Sequence, residues 1–256
     1  MGTASIRRPI GIIGNDEFGP AIAERIAACN LPAQYAAPIE ISATRTSPES
    51  STEGDFSDCP VILVAIEDTE TFRALLDGRT RVNFTPTSGT VLVDLGARTP
   101  REFDALLELV EPRGIALTDA ALIGGPEAAI EGRAKVLLGG NEAAVEVAAS
   151  VISLLGGVER TGPLGSAHAA AALMGYVEAA HAVAREEAMA LGAACGLTPD
   201  MISRVLSERS PPFGMNVVQL ARRADLARRL ARDQNPGAEI VDLAAEKLAR
   251  SQRENR

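Results

Sequence analysis

Residues 10–19 read Ile10-Gly11-Ile12-Ile13-Gly14-Asn15-Asp16-Glu17-Phe18-Gly19, and this stretch decides the fold. A short apolar run, a glycine turn and the segment Pro20–Cys29 predict a buried strand, a tight loop and a helix. That order opens a dinucleotide-binding βαβ unit, whose fingerprint is G-x-G-x-x-G. Gly14 and Gly19 hold the first and third glycine positions, and Asp16 holds the second. The second glycine normally lets the backbone lie against a pyrophosphate, so a carboxylate there adds bulk and like charge. A unit charge ~6 Å from a phosphate charge costs about 3 kcal/mol at an effective dielectric of about 20, roughly a hundredfold in affinity. Two arrangements are open. Asp16 can cap the helix and fill the anion site with its own oxygens, or it can swing outward and leave neighbouring amides to a ligand. Asn15, Asp16, Glu17 and Phe18, between the two glycines, complete the candidate cofactor loop.

Outward from this loop, strand-like runs alternate with helix-like ones. The strand-like segments are Ile10–Ile13, Ile39–Ala43, Val61–Ala65, Val91–Asp94, Ile115–Asp119 and Lys135–Gly139. The helix-like ones are Pro20–Cys29, Thr69–Leu76, Pro100–Val110 and Glu142–Leu155. Such alternation predicts an α/β domain, a Rossmann-type doubly wound parallel sheet. The short, nearly unbroken apolar strands suit burial on both faces. A glycine-rich link, Gly156–Gly165, ends the pattern. Beyond it the chain is helical throughout. Ala167–Cys195 spans ~43 Å at about 1.5 Å per residue, long enough to join two domains. Gly196 is a natural stop, and Pro199–Ser207, Met215–Arg232 and Ala238–Gln252 follow as helices. The expected domains are residues 1–162 and an all-helical C-terminal domain, 163–256.

Composition narrows the function classes. The 256 residues carry a net charge of −9, which argues against general nucleic-acid binding. No apolar run reaches the ~18 residues of a membrane span, and the first eight residues lack a signal-peptide core. Cys29, Cys59 and Cys195 are isolated and there are only two histidines, so no disulfide frame or metal site is expected. A cytoplasmic protein is the expectation. Only Lys135 and Lys247 are lysines, so few are at hand for catalysis.

After the second expected strand, Thr44, Arg45, Thr46 and Ser47 stand where a dinucleotide site reads its ribose. Arg with small hydroxyl residues suits a 2′-phosphate, whereas an acid would suit a 2′-hydroxyl. The sequence therefore favours NADP(H) over NAD(H). The competing reading is an ordinary solvated loop arginine.

The landmarks together resemble the β-hydroxyacid dehydrogenase family, which includes 3-hydroxyisobutyrate dehydrogenase and, more distantly, imine reductases. Gly11–Gly19 resembles its cofactor loop, Thr44-Arg45-Thr46 its Asn-Arg-Thr, and Val93-Asp94-Leu95 its Ile-Asp-Met. Asp119–Gly125 resembles Asp-Ala-Pro-Val-Ser-Gly-Gly, and Leu138-Gly139-Gly140 its Val-Gly-Gly. Gly162–Gly165 is similar to the approach to the interdomain helix, and Glu187-Ala188 with Gly196-Leu197 to its end. The resemblance spans residues 10 to about 208 and implies that Ala65 and Ile66 also border the cofactor. It implies substrate contacts at Ile123, Gly124, Gly125, Ala171, Met174 and Gly175.

The departures matter as much. The family's catalytic lysine falls at Ala171 and its Asn-Asn pair at Met174-Gly175. Its substrate-binding serine falls at Ile123, and the Ser-Thr after the Asp94 strand at Gly96-Ala97. Imine reductases place Asp or Tyr at the lysine position, which Ala171 also fails to match. Ordinary 3-hydroxy-acid chemistry is therefore not expected. A reductase still needs a proton donor. At 100° per residue Ala171, Gly175 and Glu178 share one helix stripe, which makes Glu178 the best-placed candidate and His168 the second. The structural alternatives are a salt bridge from Glu178 to Arg185 and a helix-start hydrogen bond for His168. For Gly124-Gly125-Pro126, which could offer backbone amides to a substrate, the alternative is a plain turn.

Three functions compete. The first is a reductase of a small carbonyl or imine with a lysine-free site. The second is a catalytically inactive relative that senses a nucleotide or binds a partner. The third is a structural role through the long helix and the arginine-rich C-terminal helices. The resemblance implies a small-molecule substrate and a homodimer built through those helices.

Overall fold

The computed structural model describes residues 8–14, 17–37, 55–207, 239, 240, 242–244, 246 and 247, without the side chains of Tyr176, Glu178, Ala179 and Ala182. The chain forms two compact units, residues 1–173 and 174–256. The last strand ends at Gly162.

In the first unit the elements run β1 (Ile10–Gly14), α1 (Phe18–Ala28), β2 (Ala33–Ala36), β3 (Val61–Ala65), α2 (Thr69–Leu76), β4 (Val91–Asp94) and α3 (Pro100–Val110). A short 3-10 turn at Glu111–Arg113 leads to β5 (Ala116–Ile123), α4 (Gly125–Ile130), β6 (Ala134–Gly139), α5 (Glu142–Ile152), β7 (Gly156–Gly162) and α6 (Ser166–Ala194). The strands form one sheet in the order β2-β1-β3-β4-β5-β6-β7. It is parallel from β2 through β5. The order reverses at β1, so the switch point of the sheet lies between the C-terminal ends of β1 and β3, where Gly14 sits opposite Ala65.

Two cores cover the two faces. Along β3, Val61, Leu63 and Ala65 pack with α1 and α5, while Ile62 and Val64 pack with α2 and α3. This alternation explains why the strand is apolar at every position and buried throughout.

The structure adds to the expected pattern in one place and corrects it in two. The segment Ile39–Ala43 lies outside the described residues, and the strand beside β1 is Ala33–Ala36, whose partly exposed edge residues gave no apolar run. The expected link Gly156–Gly165 contains β7, a strand at the sheet edge whose faces are only partly covered, so its sequence carries no apolar run. Finally, β6 runs antiparallel to β5. Only residues 124–133 join these strands, fewer than the dozen or so that a parallel crossover needs.

In the second unit α6 continues to Ala194 and α7 covers Pro199–Ser207. Ile202 is buried and lies so close to Gly192 that a Cβ there would stand 2.9 Å from it. Arg185, the expected partner of Glu178, donates to the Leu206 carbonyl at 3.2 Å. The Glu187 carboxylate accepts the Ile240 amide at 3.0 and 3.1 Å. Met215–Arg232 lies outside the described residues. Within Ala238–Gln252 the described residues 239, 240, 242–244, 246 and 247 are helical.

Candidate active site

Three strand-to-helix junctions lie at and beside the switch point. The first, β1–α1, is built on missing side chains. A Cβ on Gly14 would stand 2.7 Å from that of Ala65 and against its carbonyl, so only glycine lets β1 end so close to β3. A Cβ on Gly19 would lie 3.3 Å from the Gly14 carbonyl oxygen and from the Tyr35 ring. The third glycine of the fingerprint thus serves close helix–strand packing, as its place in the motif requires. Glu17 starts the helix and its side chain makes no capping bond. Asn15 and Asp16, and likewise Thr44, Arg45 and Thr46, lie outside the described residues.

The second junction, β3–α2, begins with Ala65 and Ile66, both buried. Asp68 caps α2 by accepting the Thr71 amide at 2.7 Å. The third, β4–α3, is filled by a buried ion pair that sequence reasoning missed. Arg98 Nε meets Asp94 Oδ2 at 2.8 Å, with both side chains 0% exposed. Burial pushes the Asp94 carboxyl above its usual range, and the Arg98 charge, His168 and the Gly96 amide oppose that rise. Arg98 also stacks on Phe72, 5.2 Å from the ring centroid. Behind it, Thr99 and Glu102 close a capping box on α3. The Glu102 carboxyl is pulled down to about 2 by hydrogen bonds from Thr69 and Thr99. Two signals for this cluster were present in the sequence: an acid and an arginine at i, i+4, and Thr99-Pro100-Arg101-Glu102.

The start of α6 is held from β5. Asp119 Oδ1 accepts the Gly165 amide at 2.8 Å, and its Oδ2 accepts the amides of Ala167 and His168 at 2.8 and 3.0 Å. His168 is buried, and the network assigns its tautomer. Nδ1 accepts the Arg98 amide at 3.2 Å, so Nε2 carries the proton and donates to the Asp94 and Ala120 carbonyls, each at 3.2 Å. Its ring lies 5.2 Å from that of Phe103. The helix-start hydrogen bond named from the sequence therefore describes this residue. Every ring nitrogen is engaged with backbone.

Ile123 ends β5, and Gly124 and Gly125 both take positive φ at the start of α4. The two glycines form the turn between β5 and α4. Ala171 lies on α6 in the first unit, while Met174, Gly175 and Glu178 lie on α6 in the second. A Cβ on Gly175 would meet nothing within 4 Å. A separate cleft of about 480 Å³, lined by Leu107, Glu111, Leu117, Asn141 and Leu164 among others, includes none of the candidate site residues.

Residues 10–164, more than half of the chain, match the family described as the NAD binding domain of 6-phosphogluconate dehydrogenase. The chain belongs to that family. Solved structures share its fold along nearly the whole length. A reductive aminase from Aspergillus terreus, in complex with NADPH and ethyl levulinate, is 16% identical with a TM-score of 0.74, covering 97% of this chain and 95% of that one. An imine reductase variant from Myxococcus stipitatus, in complex with NAD+, is 17% identical with a TM-score of 0.74, covering 97% and 94%. The 3-hydroxyisobutyrate dehydrogenase of Mycobacterium tuberculosis is 18% identical with a TM-score of 0.63, covering 95% and 93%. The chain thus carries the NAD-binding domain of that family and shares its fold with these dehydrogenases and reductases. No helix among the described residues is long and apolar enough to cross a membrane.

Proposed function

We propose that this protein is an NADP(H)-dependent reductase of a small, largely apolar carbonyl or imine. The observation that carries the reading is the β1–α1 junction: Gly14 and Gly19 bring strand and helix backbone together where the strand order reverses. The residues fit a dinucleotide. The backbone amides of the loop Gly14, Asn15, Asp16, Glu17, Phe18 and Gly19 would hold the diphosphate against the repulsion of the Asp16 carboxylate, Ala65 and Ile66 would flank it, and Thr44, Arg45 and Thr46 would take the 2′-phosphate. When bound, the cofactor supplies hydride.

The chain's own part is orientation, exclusion of water and delivery of a proton. His168 has its Nε2 proton committed to two carbonyls, so its role is to fix the start of α6 rather than to act as a donor. Glu178 is the donor of this proposal. The residues that the resemblance assigns to substrate, Ile123, Gly124, Gly125, Ala171, Met174 and Gly175, are apolar or small. That set suits an uncharged substrate or an iminium, which already carries its charge and needs only hydride. Exposed Leu173, Val177, Val183 and Met189 on α6 support homodimerisation through the helical part. A cytoplasmic location completes the proposal.

Protection against thermal unfolding by NADPH, NADP and NADH at millimolar concentration tests this reading. A ligand at about 100 times its Kd adds about 2.7 kcal/mol to the native state. NADPH is expected to raise Tm more than NADH, and no shift with any of them contradicts the proposal. With turnover on a carbonyl and imine panel, Glu178→Gln should cut the rate by roughly tenfold or more and leave nucleotide affinity intact. A Tm shift without turnover would favour the nucleotide-sensing alternative, to which Ala171 in place of lysine and Ile123 in place of serine point.

A further inference from the structure

The loop leaving β4 is where the resemblance expects hydroxyl side chains and this sequence has Gly96-Ala97. A Cβ on Gly96 would lie 2.5 Å from the Ile66 carbonyl oxygen and 2.6 Å from Arg98 Nη2. The arginine therefore occupies the room that a side chain at 96 would need. Its remaining donors reach the loop that leaves β3. Nη1 donates to the Glu67 carbonyl at 2.8 Å and to Thr69 Oγ1 at 3.0 Å, and Nη2 donates to the Ile66 carbonyl and to Asp94 Oδ1, the latter at 3.3 Å. Its backbone amide holds the His168 ring. One buried arginine thus ties the loops after β3 and β4 together through its guanidinium, and meets the first turn of α6 through its backbone amide.

With its charge met by Asp94 and its side chain wholly buried, Arg98 is no receptor for a free anion. We propose that Arg98 is a positioning residue: it sets the 66–69 loop against the switch-point crevice and so shapes the wall that a dinucleotide meets. The planar fork matters here. A guanidinium serves two carbonyls, a hydroxyl and a carboxylate at once, whereas an ammonium is a point charge that cannot span them. The nucleotide part of this inference rests on the function proposed above.

The test compares Arg98→Lys with Leu117→Ala, a cavity in the same α2/α3-side core at an apolar side chain that takes no part in the hydrogen bonds of Arg98. In the nucleotide-free protein, 15N order parameters at Glu67, Asp68, Gly96 and Ala97 should fall below about 0.6 in Arg98→Lys and stay near about 0.85 in Leu117→Ala. The Kd for NADPH, followed by nicotinamide fluorescence well below Tm, should rise roughly tenfold in Arg98→Lys and remain unchanged in the cavity variant. Should the lysine variant not fold, Thr69→Val removes one Nη1 partner, and its Kd should rise about threefold. Rigid loops in Arg98→Lys, an unchanged Kd, or equal losses in Leu117→Ala would overturn the proposal. If the unaltered protein binds no nucleotide, the proposed function fails, and the order parameters still decide whether Arg98 holds the loops.

Discussion

The β1–α1 and β4–α3 junctions leave the same edge of the sheet and solve the same problem in opposite ways. At β1–α1 the chain removes side chains, because a Cβ at Gly14 or Gly19 would press on the neighbouring strand or on the helix approach. At β4–α3 it adds them: Arg98 fills the turn, Asp94 neutralises it, and Thr99 with Glu102 caps the helix. The difference teaches which junction suits a ligand. A turn built of glycine offers backbone to whatever lies in the crevice, which is how a diphosphate is recognised. A turn packed with an arginine directs its polar groups inward and gives the crevice a fixed wall.

The largest expected effect comes from breaking the packed junction. Arg98→Ala leaves Asp94 buried without its partner, and urea unfolding should show a loss of about 4 kcal/mol. Breaking the glycine junction should cost less. Gly14→Ala drives a methyl into Ala65, and the same measurement should show a loss of about 2 kcal/mol, because the strand end can shift where a buried charge cannot be dispersed.

These two predictions also show what the sequence made legible. β3, β4, α2, α3 and α7 have the bounds read from their apolar runs and breakers. The glycine spacing located the first junction. Edge strands β2 and β7 escaped because a strand paired or covered on one side need not be apolar, and the turn of β6 depended on a short connection rather than on its own residues. The packed junction was hidden for a different reason. Asp94 and Arg98 were visible as residues, but their partnership depends on Gly96 leaving room and on the carbonyls of Ile66 and Glu67, in another loop, accepting from the guanidinium. His168 was legible at the start of α6, whereas the two carbonyls that its Nε2 meets come from β4 and β5 and left no mark near it in the sequence.

The smallest effect sharpens the comparison by pH. Hydrogen bonds from Thr69 and, within the capping box, from Thr99 hold the Glu102 carboxyl at about 2 instead of its usual 4.5. A carboxyl depressed in the folded state stabilises above its unfolded value, and that contribution is lost as pH falls from about 4.5 toward about 2. Glu102→Gln should therefore cost about 1 kcal/mol near neutral pH. Urea midpoints at about pH 6 and about pH 3 should converge for the two proteins as the acid limb removes the wild-type advantage. A difference that persists unchanged at low pH would remove the carboxylate from the account of this junction.

The most direct measurement is an amide-resolved NMR titration with NADPH. Recognition of the diphosphate by the glycine junction predicts that the largest saturable shifts fall on Gly14, Glu17, Phe18 and Gly19, with small ones at Thr99–Glu102. Replacing Asp16 by Gly should tighten the same titration by as much as roughly a hundredfold. Shifts centred on the β4–α3 junction, or none at the first junction at saturating nucleotide, would contradict it.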